Sequence, residues 1–84
     1  MQKFDGNVLA GPLSEVMAGD ATAARARCAH CGDVAVVAQA VVYADGNRFV
    51  ARCRRCDGVL LTIIEADGEV RLTMTGVTAY TIPT

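Results

Sequence analysis

The sequence predicts a mainly β protein, in which a short N-terminal helical segment precedes four to six strands in antiparallel hairpins. Two observations predict the hairpins. The apolar segments after residue 21 are short and β-branched, and the turn sequences ADGN (44–47) and ADGE (66–69) interrupt them. A third observation concerns stability, because 84 residues with no Trp, two Phe and two Tyr build only a small core. Such a domain is expected to need additional stabilisation, such as a bound metal ion or disulfide bonds.

The N-terminal segment, residues 1–20, is predicted to form one brief turn and then a helix. Its apolar residues recur near helical spacing. Because proline suits the first turn of a helix, the helix is predicted to run from Pro12 to about Ala18 and to stop at Gly19. This segment and the β region of residues 21–84 are expected to form one compact domain.

The rest of the chain is predicted to alternate between strand and turn. Residues 34–43 form a long β-branched run, and residues 59–65 are continuously apolar, which is typical of a buried strand. In residues 69–75 every second side chain is apolar, so these side chains share one face of a sheet. The last strand is predicted to lie at an edge and to end at Pro83. The predicted strands are residues 22–28, 34–43, 48–53, 59–65, 69–75 and 76–83.

Charge and hydropathy argue against several classes of protein. The net charge is −1, so no strong overall field attracts nucleic acid or a membrane surface. No apolar run approaches the roughly 20 residues of a spanning helix, and the start MQKFDGNVLAG lacks the features of a signal peptide. We therefore expect a cytoplasmic protein without a membrane partner, whose cysteines are kept reduced.

All four cysteines lie in two Cys-x-x-Cys pairs, within RCAHCG and RCRRCDG. The 21 residues between the pairs are one more than the usual spacing of about 15–20 in two-pair zinc sites. Gly32 and Gly58 follow the pairs and are expected to permit tight turns with positive φ. In a reducing compartment such pairs are more often metal ligands than disulfides, so one tetrahedral site is predicted. Its ligands are Cys28, Cys31, Cys53 and Cys56.

Four thiolates suit zinc, and they also suit iron in a rubredoxin-like centre. We favour one Zn²⁺ per chain, because zinc is the commoner occupant of two-pair sites and can contribute on the order of 10 kcal/mol to folding. A closed site leaves no open position for water or substrate, so neither a catalytic residue nor an enzyme activity is predicted. His30, the only histidine, lies inside the first pair and is interpreted as an exposed or outer imidazole rather than a ligand.

Five of the eight basic residues lie within three positions of a cysteine. They either offset the negative charge of the metal–thiolate centre or form a basic surface for an acidic or phosphate-bearing partner. Because no aromatic residue lies among the arginines to stack on bases, nucleic acid is a possible but unsupported partner. The candidate partner contacts are Arg54, Arg55, Arg27 and His30.

The two pairs and their flanking hairpins resemble a zinc ribbon, a fold shared by many transcription, ribosomal and redox accessory proteins. Over nearly the whole chain, the segments FDGNVLAGPLSEV, RCAHCG, VYADGNRFVARCRRC and DGVLL also resemble a family of small actinobacterial proteins of unknown function. Asp57, which precedes Gly58, departs from the plain Cys-x-x-Cys-Gly of rubredoxins. The resemblance implies a ribbon fold in a cytoplasmic, bacterial setting, in the company of redox enzymes such as molybdopterin-type oxidoreductases. It brings no established activity.

Three functions are therefore weighed. The first is a non-enzymatic zinc-ribbon module with a structural metal, which acts as an accessory factor or binds a protein partner. The second is a rubredoxin-like electron carrier, although only Tyr43 and Phe49 are close enough in sequence to provide aromatic cover. The third is a nucleic-acid-binding ribbon. A redox switch, in which disulfides form and the metal leaves, is chemically open to any such site.

Overall fold

The computed structural model describes residues 2–14 and 21–83, which form eight strands in two antiparallel sheets together with short helices. The strands of the larger sheet are β1 (Gln2–Asp5), β4 (Val41–Asp45), β5 (Arg48–Arg52), β6 (Val59–Ala66) and β7 (Glu69–Thr73), in that spatial order. Those of the smaller sheet, also in spatial order, are β3 (Val34–Val36), β2 (Arg25–Cys28) and β8 (Val77–Thr81). The mainly β, antiparallel prediction is confirmed, with more strands than the four to six expected.

The N-terminal segment contains a strand that the sequence interpretation missed. Gln2–Asp5 pairs with β4, whereas this stretch was predicted to be helical. All four residues of β1 are exposed, so the strand carries no apolar pattern by which to recognise it. The helical part follows as a 3₁₀ turn at Gly6–Leu9 and then the helix α1 at Ala10–Ser14.

The helix α1 begins two residues earlier than predicted, and Pro12 lies within its first turn, where a missing N–H costs nothing. The Asp5 carboxylate caps the preceding 3₁₀ turn by accepting a hydrogen bond of 2.9 Å from the N–H of Asn7. The predicted helix end at Ala18 and Gly19 lies outside the described residues.

The prediction of one long strand at residues 34–43 is wrong, because the chain passes from one sheet to the other within this stretch. β3 pairs with β2 in the smaller sheet, whereas β4 pairs with β5 in the larger one. Between them Val37–Gln39 form a 3₁₀ turn, whose Val37 N–H donates to the Ala24 carbonyl at 2.8 Å. A run of β-branched residues does not reveal such a change of sheet, since both halves have the same propensity.

Both predicted turns and the buried strand are confirmed, although Gly46 and Asn47, not Asp45 and Gly46, form the first turn. Asp67 and Gly68 join β6 to β7 and both have positive φ, at 53° and 74°, as a type I′ hairpin turn requires. Within β6, the side chains of Leu60, Leu61 and Ile63 are buried. Every second side chain of residues 70–74 packs half-buried against the same core, as the alternation predicted.

The core lies between the two sheets and the N-terminal helical segment. Many of its residues are small, including five alanines that are at most 6% exposed. Its largest fully buried side chains are Leu9, Leu13, Val42, Leu61 and Ile63. In the part of the chain that the structure describes, no helix is long and apolar enough to cross a membrane.

Candidate metal centre

The four cysteines lie on two turns that come from different sheets. Cys28 is the last residue of β2 in the smaller sheet, and Cys31 follows in the turn. Cys53 comes directly after β5 of the larger sheet, and Cys56 lies in the turn that leads towards β6. The two turns therefore meet where the two sheets approach each other.

The four sulfur atoms lie at the spacing of a tetrahedral metal site. All four Sγ atoms are within 4.8 Å of one another, and two of the pairs that link opposite turns are Cys28 to Cys56 at 3.6 Å and Cys31 to Cys53 at 3.7 Å. A tetrahedron with Zn–S bonds of about 2.3 Å has edges of about 3.8 Å, whereas a disulfide bond is about 2.05 Å long. The cysteines are free thiols whose arrangement fits a metal ion. Two of them are buried and two are exposed.

The two turns have the same hydrogen-bond pattern. In each turn, the N–H of the first cysteine donates to a carbonyl five residues later, at 2.9 Å for Cys28 and 2.8 Å for Cys53. The carbonyl of the first cysteine accepts from the residue that follows the second cysteine, Gly32 at 2.9 Å and Asp57 at 3.0 Å. Backbone hydrogen bonds alone thus hold each cysteine pair in a closed loop.

Backbone N–H groups also point at the sulfur atoms. The N–H of His30, of Arg55 and of Gly58 each lies 3.4 Å from the sulfur of the cysteine two residues before it. The N–H of Asp33 acts in the same way on Cys31. Such hydrogen bonds favour the thiolate form, which is the form that binds metal.

The expected roles of the two glycines are only half correct. Gly32 has a positive φ of 79°, as predicted, but in the second turn the equivalent residue is Asp57, with a φ of 63°. Gly58 is needed for space instead. A Cβ there would lie 2.6 Å from Cδ2 of His30 and 3.3 Å from the sulfur of Cys56. The imidazole of the first turn thus packs directly against the second turn.

The thiols of Cys28 and Cys56 differ sharply in pKa. Burial raises the pKa of Cys28, but the N–H groups of Cys31 and His30 and the neighbouring thiols outweigh it and lower this pKa to about 6. For Cys56, the N–H of Gly58 lowers the pKa, but burial and the other thiols raise it to about 12. One thiolate forms readily, and further ones repel it. A bound cation would remove that repulsion.

Arg54 joins the two turns through Asp33. Its Nε and Nη2 donate to the two carboxylate oxygens of Asp33 at 3.0 and 3.3 Å, and its Nη1 donates to Gln39 at 2.8 Å. The Asp33 side chain is only 8% exposed, and the Arg54 guanidinium keeps the pKa of that carboxyl below its usual value. Sequence reasoning missed Asp33 and Gln39, since neither belongs to a local motif.

Of the other basic side chains near the site, one makes a hydrogen bond to the second turn and the rest are exposed. Arg52 donates to the Asp57 carbonyl at 2.9 Å and lies 5.9 Å from the centroid of the Tyr43 ring, so it supports the second turn. Arg27 and His30 are exposed, and Arg55 has a 75% exposed side chain with one carboxylate oxygen at 4.0 Å. Of the four candidate partner contacts, Arg54 alone is held in a bidentate ion pair.

Gly76 connects the first turn to the strand that leaves the second turn. Its carbonyl accepts from the N–H of Ala29 at 2.8 Å, and its N–H donates to the carbonyl of Leu60 at 3.0 Å. A Cβ on residue 76 would lie 1.8 Å from the carbonyl oxygen of Val59, so only glycine fits. Sequence reasoning missed this residue, because its neighbours come from distant parts of the chain.

The fold and the site together define a small two-sheet β protein whose four clustered cysteines can hold a metal ion. The whole chain, residues 1–84, matches the model of a protein family described as a family of unknown function (DUF6510), and the chain belongs to that family. No curated protein and no solved structure matches it.

Proposed function

We propose that this protein is a non-enzymatic zinc ribbon, in which one Zn²⁺ bound by Cys28, Cys31, Cys53 and Cys56 ties two sheets together so that the surface can bind a protein partner. The observation that carries the proposal is the position of the four sulfur atoms. They come from two turns of matching hydrogen-bond pattern, one on each sheet, at the spacing that a tetrahedral thiolate site requires.

A structural rather than catalytic metal is supported by the donor set. Four thiolates fill the tetrahedron and leave no position for water or substrate. Among the residues that the structure describes, no second group of His, Cys, Asp or Glu residues is arranged to hold a metal. The zinc would act on folding, because a core rich in alanine provides little stability by itself. A reducing compartment such as the cytoplasm belongs to the proposal, since oxidised cysteines do not bind zinc.

The alternative is an electron carrier with iron in the same site. The N–H···S hydrogen bonds favour it, because such bonds tune the potential of iron–thiolate centres. The cavity that borders Cys28 and Cys53 disfavours it, since aliphatic side chains, Asp33 and Arg54 line it and no aromatic ring covers the sulfur atoms there. We therefore rank zinc first.

Metal analysis with an absorption spectrum tests the proposal. Protein purified from a bacterial host grown without added metal is expected to contain one zinc per chain and to be colourless. Chelation should then abolish the cooperative thermal unfolding. Iron with a thiolate charge-transfer band that bleaches reversibly on reduction would refute the zinc module and establish the electron carrier.

A further inference from the structure

Among the described residues, the outer face of the smaller sheet carries positive charge only. Arg25 and Arg27 lie on the central strand β2, and both are exposed. No side-chain hydrogen bond or ion pair of either arginine is found within residues 2–14 and 21–83. The three strands contain no Asp or Glu. Asp33, which directly precedes β3, is nearly buried and already paired with Arg54.

The edge strand β8 carries neither a charge nor a proline, although a bulge at Thr78 interrupts its pairing with β2. Exposed sheet edges normally carry charges, proline or bulges, and are often very short. The other edges follow this rule, since β1 and β7 contain charged residues and β3 has only three residues. β8 has five residues without a charge or a proline, VTAYT. Beyond the bulge, Ala79–Thr81 keep a regular register, so the free edge of this part of β8 can accept a further strand.

The registers place the two arginines where they can reach a strand added to β8. Arg27 lies directly opposite Ala79, and Arg25 lies directly opposite Thr81, so these four side chains share one face. An added strand would lie roughly 10 Å from β2, two strand spacings away. Because the intervening side chains are small, a long arginine can extend across them to a carboxylate on that strand.

Two exposed apolar side chains lie on or next to the smaller sheet. Only three large hydrophobic side chains are exposed among the described residues, and two of them belong here. Val34, which is 53% exposed, lies directly opposite Arg27. Ile82, which is 43% exposed, follows the end of β8. Ile82 lies at the edge to which a partner strand would add, whereas Val34 lies on the opposite edge strand β3, beyond the reach of that strand.

We propose that the β8 edge binds an extended, acidic segment of a partner protein as an added strand, whose carboxylates pair with Arg25 and Arg27. This deepens the proposed partner-binding function and rests on it. A second copy of the chain is a poor occupant, because β8-to-β8 pairing would place four arginines and no acid on one continuous face. Charge complementarity therefore selects an acidic partner.

The test is a titration of the full-length, zinc-loaded, ¹⁵N-labelled protein with a synthetic peptide of alternating glutamate and threonine. The amide shifts should concentrate on Val77–Thr81 and β2, and a peptide of alternating lysine and threonine should not bind. Methylating the peptide nitrogens at one alternate set of residues should abolish binding, because that set pairs with the edge, while methylating the other set should not. Equal binding of both methylated peptides would overturn strand addition.

Two double variants with the same change in net charge test the role of the arginines. Arg25→Glu/Arg27→Glu should weaken binding by about tenfold or more, since two ion pairs become repulsive. The matched control, Arg48→Glu/Arg71→Glu, alters exposed arginines of the larger sheet and should change affinity by less than about twofold. If both double variants weaken peptide binding equally, the effect depends only on the net charge of the protein, and the proposed binding site on β8 is overturned.

The remaining outcomes are also decisive. If sedimentation shows a dimer that pairs through β8, the occupant of this edge is a second copy of the chain and the proposal is overturned. If single-stranded DNA binds at β8 and the acidic peptide does not, the proposal is likewise overturned. Zinc content and thermal unfolding are measured on the same samples. A zinc-loaded, folded protein that does not bind the peptide overturns the β8 site alone, whereas a stable fold without any metal overturns the proposed function.

Discussion

Replacing Gly76 by alanine tests how far the metal turns depend on the contact between the two sheets. The glycine N–H and carbonyl bond to Leu60 and Ala29 at 3.0 and 2.8 Å. A Cβ on residue 76 would lie 1.8 Å from the Val59 carbonyl oxygen and 2.8 Å from the Cα of Leu60. Both clashes are with backbone atoms, so no change of rotamer relieves them. The chain at residue 76 must move away, and both hydrogen bonds are expected to break.

The expected loss of stability is about 2–6 kcal/mol, because each buried backbone group that loses its partner costs about 1–3 kcal/mol. A single core in a domain of this size supplies only about 3–5 kcal/mol. The metal-free Gly76→Ala variant is therefore expected to be largely unfolded. A structural metal contributes on the order of 10 kcal/mol, so the zinc-loaded variant should fold, with a midpoint lower by about 10 °C or more.

Thermal unfolding followed by circular dichroism, with and without zinc, measures both effects. Gly11→Ala is the matched control, since it adds the same methyl group in the helix Ala10–Ser14 and no atom lies within 4 Å of that Cβ. Helix propensity predicts that Gly11→Ala gains up to about 1 kcal/mol. A zinc-loaded Gly76→Ala protein that unfolds within about 2 °C of the zinc-loaded wild type would refute the steric reasoning.

Three further predictions concern the turns. Arg54→Ala should lower the unfolding midpoint of the zinc-loaded protein by about 5–10 °C, since a partly exposed bidentate ion pair contributes about 1–2 kcal/mol. Arg54→Lys should restore less than half of this loss, and equal stability of the wild type and both variants would contradict the bridging role of Arg54. Residues 32 and 57 both have positive φ, which glycine adopts more easily than other residues. Asp57→Gly should therefore stabilise the protein by up to about 1 kcal/mol in chemical denaturation, and Gly32→Ala should destabilise it by at least as much. The opposite signs would argue against this geometry. Arg54 depresses the pKa of Asp33, so this ion pair stabilises the fold above the ordinary carboxyl pKa and the benefit is lost as pH falls through the folded-state pKa. The stability difference between wild type and Asp33→Asn should accordingly shrink from pH 7 to pH 3, and a constant difference would exclude an electrostatic cause.

The features that sequence predicted well are those that short segments determine. A Cys-x-x-Cys pair brings its own two sulfur atoms together, and two such pairs in one small domain have few ways to be far apart. The turn at Asp67-Gly68 likewise follows from residues that tolerate positive φ. Period-two alternation and a continuous apolar run identified β7 and β6 because burial governs both patterns.

The features that sequence missed depend on contacts between distant segments. The four residues of β1 are all exposed and show no periodicity, so only their pairing with β4 makes them a strand. Gly58 looked like a turn glycine, but its lack of a side chain makes room for the His30 ring, 28 positions earlier in the chain. The Arg54–Asp33 pair also joins two turns, and nothing in either turn alone indicates it.

The position of the site predicts that metal loss should affect both sheets together. Two of the sulfur-bearing residues, Cys28 and Cys53, are themselves members of the core and pack with alanines such as Ala26 and Ala51. Small side chains bury little area, so each sheet is weakly stable without the other. Amide hydrogen exchange before and after chelation measures this coupling. We expect protection to fall in β2 and β5 to the same extent, whereas a loss confined to the two cysteine turns would show that each sheet is stable by itself and that the metal only orders the turns.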